Sequence, residues 1–100
     1  MNIALHPAAT AEFSFAAAFY EAQREGLGLA FVAAVDEALA FISAHPAAAA
    51  IVAGAPTYRR AMVRRFPYAI YYAVEADVLR VYAVAHQKRR PGYWRERAGR

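Results

Sequence analysis

The hydrophobic pattern of this chain changes period once, near residue 57, and that change confines it to a fold in which helices come first and strands follow. After a short apolar start at Ile3, Ala4 and Leu5, Pro7 suits the first turn of a helix, and an alanine-rich run continues to about Glu25, before Gly26. A second helix is predicted from about Leu29 to Ala44, where Phe31, Val35, Ala38, Leu39 and Ile42 recur at helical spacing and Pro46 ends the run. Only Gly26 to Gly28 join the two, so they fold back on one another as an antiparallel hairpin. Pro46 to Pro56 has no periodicity and reads as a loop. Beyond it the period is two. Arg60, Met62 and Arg64 alternate with Arg59, Ala61, Val63 and Arg65 in one strand; Phe66 and Pro67 mark a turn; Ala69 to Glu75 is a second strand. Glu75 to Asp77 makes a tight corner, Val78 to His86 is the last strand, and Pro91 to Arg97 suits a short terminal helix.

The resulting expectation is one α+β domain over residues 1–100 in the order βααβββ, its helical hairpin packed on one face of a small, mostly antiparallel sheet. With helices on one side only, the other sheet face is predicted to meet solvent. Charge gives that face a role. Tyr58 to Arg100 holds 11 Lys/Arg and three acids, a net +8, whereas Met1 to Thr57 holds one Arg and five acids, a net −4. A one-signed block on a small domain marks a surface for a partner of opposite sign. The residues expected to carry it are Arg59, Arg60, Arg64, Arg65, Arg80, Arg89 and Arg90, with Tyr93 and Trp94 to stack on or insert into the partner. The competing reading of each arginine is a solvated strand face, and of the aromatic pair, packing over the sheet edge.

Several chemistries find no support in the residues. There is no cysteine, so no disulfide framework and no thiolate nucleophile. His6, His45 and His86 lie far apart without carboxylates at ligand spacing, so neither a metal nor a cofactor is expected. Ser14 and Ser43 fall inside predicted helices, and Gly26 and Gly28 lack the strand and third glycine of a phosphate loop. The first 20 residues lack a basic segment and are interrupted by Pro7 and Glu12, so neither a signal peptide nor a membrane span is expected there, and the lack of cysteine fits the cytoplasm.

Three stretches are spread from Gly26 to Trp94, roughly 70% of the chain: GLGLAF at the second helix, RRFPYAIYY at the turn and strand, and AVAHQKRRPGYW at the end. In that order and spacing they resemble the ParE/RelE-type toxins of type II toxin–antitoxin modules, in particular the ParE-like, plasmid stabilization branch. The resemblance implies a βααβββ fold and a cytoplasmic toxin held in a hetero-oligomer with a cognate antitoxin. It also implies one of two targets: DNA gyrase, as for ParE-like members, or the ribosome, where RelE-like members cut mRNA. RelE-like cleavage uses an Arg after the Tyr that begins the third strand; here Tyr68 is followed by Ala69, whose methyl group cannot neutralise charge on a phosphorane. Gyrase is therefore the expected target, with an inactive binding module as the third reading. His86, Arg89 and Tyr93 remain the candidates for catalysis, and Arg60 falls near one basic position of the second strand. His86 has an equally simple alternative, closing the last strand by a hydrogen bond. An acidic antitoxin tail would add a strand to the exposed first strand or lay a helix beside the helix pair.

Overall fold

The computed structural model describes residues 1–99; Arg100, counted in the charge above, lies outside them. The elements run β1 (Asn2–Leu5), α1 (Pro7–Gln23), α2 (Leu27–Ala44), β2 (Ala50–Val52), β3 (Ala55–Met62), β4 (Tyr68–Glu75), β5 (Val78–His86) and a terminal 3-10 turn (Arg95–Gly99). They form one five-stranded sheet in the order β1-β5-β4-β3-β2, with β1 parallel to β5 and every other pair antiparallel.

Local chemistry accounts for the helix ends. His6 caps α1 by accepting from Ala8 N at Nδ1 (3.1 Å), and Pro7, which has no N–H to leave unpaired, opens the first turn. The cap of α2 comes from the preceding helix: the Glu21 carboxylate accepts from Gly26 N at 3.0 Å and Gly28 N at 2.9 Å. A negative charge on those free N–H groups stabilises the helix start, and it locks the hairpin closed. Gly26 sits at φ +88, and a Cβ on Gly28 would lie 2.7 Å from the Ala17 carbonyl oxygen, so the two glycines answer a turn and a close helix crossing respectively.

The helices bury one face of the sheet. Ala9 and Ala16 of α1 and Phe31, Val35 and Ile42 of α2 meet Ile70, Tyr72, Leu79, Val81 and Val84. Alanine on α1 lets its backbone approach the sheet, and the volume this leaves is filled by rings. Phe31 lies 5.2 Å from Phe66 and 5.0 Å from Tyr68, both edge to face, and Tyr20 lies 4.9 Å from Phe66. α2 is long and apolar enough to cross a membrane by length and composition, yet its apolar stripe is the centre of this core.

Four expectations are corrected. The Pro46–Pro56 stretch is not all loop: it contains β2, which pairs with β3 at Ala50–Arg60 and Ile51–Arg59. Three residues are too few for a period to show. Arg64 and Arg65 are not on a strand, because β3 ends at Met62 and both lie in the turn that follows, Arg65 at φ 72. The terminal helix is shorter than expected: Pro91 to Trp94 are turns, and only Arg95–Gly99 is 3-10. Finally, the second sheet face is not open. The segment after β5 crosses it and lays Trp94, 1% exposed, over Tyr71 and Tyr58, closing a second core with Ala73, Tyr82, Ala83 and Ala85. A bulge at Tyr82 supplies part of this: Tyr71 pairs with Ala83 and Tyr72 with Val81, so Tyr82 is extra and turns its ring toward Tyr58.

Candidate target and antitoxin surfaces

The arginines expected at the open sheet surface, with Arg60 and Arg64 on one side of their strand and Arg59 and Arg65 on the other, are distributed by the fold. On β3, Arg59 pairs with Tyr72 on the helix side of the sheet, where its Nη1 donates to the carbonyls of Ala47 (3.0 Å) and Ala49 (2.8 Å) and holds the chain leading into β2. Tyr72 also donates to the Pro46 carbonyl (2.6 Å), so two side chains fasten that segment; burial raises the Tyr72 phenol pKa, and Arg59 opposes the rise. Arg60, one residue on, takes the opposite face. Arg64 reaches Glu37 of α2 (3.3 Å) with both groups exposed, and Arg65 lies 5.9 Å from the Phe66 ring. Arg80 pairs with Glu75 (3.1 Å), which also accepts from the Tyr82 hydroxyl (2.9 Å). Burial first, then that bond, pushes the Tyr82 phenol up to about 12.

One carboxylate organises the C-terminal segment, and sequence reading passed it over. Glu12 of α1 takes a bidentate contact from Arg97, Nη1 to Oε1 and Nη2 to Oε2, each 3.0 Å. It also accepts from the Tyr93 hydroxyl (2.6 Å) and from Val84 N (3.1 Å), with Arg89 at 4.0 Å. β1 stops at Leu5, opposite Val81, so the β5 edge from Tyr82 onward has no neighbouring strand on that side. Glu12 and Arg97 take the strand's place there: the first receives Val84 N, and the second donates to the Tyr82 carbonyl at 2.9 Å. The signal was present in the sequence, since Glu12 stands beside the stripe of Ala9, Phe13, Ala16 and Tyr20 and is the one charged residue in the first half of the helix.

In this arrangement all three catalytic candidates make contacts within the domain. Tyr93 is half-buried; desolvation first, then the bond to Glu12, raises its phenol pKa above the ordinary value, so it holds its proton at neutral pH. Arg89 lies 3.9 Å over the Tyr93 ring. His86 accepts from Lys88 N at Nδ1 (3.0 Å) and packs edge-on against Tyr68, the strand-closing role its position also allowed. Trp94 is core. Exposed positive charge is left on the strap that crosses the second face, at Lys88, Arg89, Arg90 and Arg95, and on Arg60 beside it.

A different surface is apolar. The hairpin sits mainly over β5, and between α2 and β3 a groove of about 370 Å³ is lined by Ala34, Ala38, Phe41, Ala61 and Met62, with the Glu37–Arg64 pair at its rim. Phe41 and Met62 are each about half exposed. Among the described residues there is no cluster of His, Asp and Glu able to hold a metal ion.

No curated protein matches the sequence. Among solved structures, the chromosomal ParDE toxin–antitoxin system from P. aeruginosa is similar, with a TM-score of 0.71 at 16% identity over 86% of this chain and 95% of that one. The family described as the ParE toxin of the type II toxin–antitoxin system parDE matches residues 3–91. With the helical hairpin on a mixed sheet, this match places the chain in the ParE toxin family, whose systems pair the toxin with a cognate antitoxin.

Proposed function

We propose that this toxin inhibits DNA gyrase in the cytoplasm and so halts replication, and that its antitoxin neutralises it by docking in the apolar groove between α2 and β3. The observation that carries the choice of target is the commitment of Tyr93 and Arg97 to Glu12. An mRNA-cutting member needs a group at the strap that can take a proton from a 2′-hydroxyl, and cations to stabilise the phosphorane. Tyr93 keeps its proton, Arg97 is neutralised by Glu12, and the position after Tyr68 is the buried Ala69. A poison that acts by holding its target needs only a shaped, charged surface, which the strap provides with Lys88, Arg89, Arg90 and Arg95.

The groove suits the apolar face of an amphipathic helix, and the Glu37–Arg64 pair at its rim offers charges of both signs to fix register. The deciding experiment is induced expression without antitoxin, followed by a supercoiling assay with purified gyrase. The expected result is arrested growth, an induced DNA-damage response and accumulation of cleaved DNA. Intact supercoiling together with message cut at the ribosomal A site would overturn the gyrase reading and favour the endonuclease.

A further inference from the structure

Arg60 and Arg95 are brought together by the fold from opposite ends of the basic half, and neither has an anionic partner among the described residues. They line one cleft of about 380 Å³ on the second sheet face, walled by Ile51, Val52, Tyr71 and Trp94. Arg59, Arg64, Arg80, Arg89 and Arg97 are matched to a carbonyl or a carboxylate; Arg24, Arg65 and Arg90 share the lack of an anionic partner among the described residues, but none of them lines this cleft. Two unpaired guanidinium groups facing one cleft repel one another until an anion enters. Trp94 adds a second observation: its indole Nε1–H is buried and has no acceptor among the described residues. An orphaned buried donor costs about 1–3 kcal/mol, and Trp94 lines the cleft, so a ligand there that shifts the ring is reported at this N–H.

We propose that this cleft binds the phosphomonoester of a nucleotide. A carboxylate carries one charge and satisfies one guanidinium bidentately, leaving the other unmatched. A phosphomonoester carries about −1.5 to −2 at neutral pH and offers three oxygens, enough for both arginines. The volume exceeds that of a bare phosphate, and the apolar wall of Ile51 and Val52 with the ring of Tyr71 leaves room for the attached nucleoside. The proposal does not depend on gyrase being the target, because it concerns binding by the isolated toxin.

The test uses the single tryptophan, whose indole N–H gives one signal in a ¹H–¹⁵N spectrum. Thymidine 5′-monophosphate titrated into the wild-type toxin is expected to shift that signal saturably, while thymidine does not. A short single strand carrying a 5′-phosphate, compared with its 5′-hydroxyl form, separates a strand end from a free nucleotide as the source of the group. Tighter binding of the phosphorylated strand than of the monophosphate assigns the site to strand ends, and the reverse order assigns it to free nucleotides. Arg60→Gln with Arg95→Gln is expected to weaken binding by about tenfold or more, and Arg24→Gln with Arg90→Gln by no more than about twofold. Equal weakening by both pairs means general charge attraction and overturns the proposal. So does an indole signal that ignores the nucleotide, or one that moves with a glutamate-rich peptide and not with the monophosphate. The wild-type titration decides the matter even if the double variant does not fold.

Discussion

At the scale of single residues, Glu12 carries more than its place in the sequence suggests. Its side chain is 17% exposed and that of Arg97 18%, so the pair is largely desolvated, and removing one partner leaves a buried charge without compensation. Glu12→Gln is expected to cost about 2–3 kcal/mol and to lower Tm by roughly 8–20 °C for a domain of this length. Glu96→Gln, on the exposed turn, should cost less than about 0.5 kcal/mol. Equal urea midpoints for the two variants would remove the structural role given to Glu12. The buried phenols set an alkaline limit. Tyr20, Tyr68, Tyr72, Tyr82 and Tyr93 all have pKa values raised above 10 in the fold, first by burial. Between the unfolded and folded values the unfolded chain has lost the proton that the native state keeps, so the unfolded state binds fewer protons and stability falls as pH rises. Each such group's contribution is complete below about pH 10, and that of Tyr82 is lost on the way to about 12. The expected slope is at most about 1.4 kcal/mol per pH unit per phenol, and Tyr82→Phe should flatten it in urea titrations between about pH 10 and 12. An unchanged slope in that variant would show that Tyr82 titrates alike in both states.

Among the elements, the helical hairpin was legible because its determinants are local. Apolar spacing, Pro7, the glycine link and Pro46 all act within a few residues, and the same holds for the β4–β5 hairpin, whose corner residues Ala76 and Asp77 both take positive φ (51 and 63). The packing of the hairpin adds a further test. In Gly28→Ala the new Cβ meets the Ala17 carbonyl oxygen and the Glu21 side chain at under 3.0 Å, so α2 must move away from α1 and lose its cap from Glu21. A loss of about 1–3 kcal/mol is expected, measured by thermal unfolding, despite alanine's higher helix propensity. A stabilised variant would mean that the crossing is looser than described. β2 escaped sequence reading for the opposite reason: Ala50–Val52 carries no pattern of its own and is a strand because Arg59 and Tyr72 fasten the preceding chain alongside β3.

At the scale of the whole molecule, the structure separates two surfaces that the sequence had merged into one cationic sheet. The apolar groove lies between α2 and β3, and the strap with its exposed cations lies across the other sheet face. Phe41→Glu is therefore expected to weaken antitoxin binding by about 10- to 100-fold while leaving growth arrest intact, and Arg89→Glu with Arg90→Glu to do the reverse. Calorimetric affinity for antitoxin set beside a growth assay checks both, and a variant that loses the two properties together would merge the surfaces again. The sequence alone determined the α+β class, the two helices, the three long strands and the family, because periodicity, turn residues and motif order are properties of neighbouring residues. Only the tertiary structure decided where the arginines go and what covers the second sheet face. Those depend on contacts such as Arg97 to Glu12, 85 residues apart, and on Trp94 choosing the rings of Tyr58 and Tyr71 over solvent. A long-range contact leaves no spacing in the chain to be read, since its free energy depends on burying rings away from water and on pairing charges that the fold alone brings together.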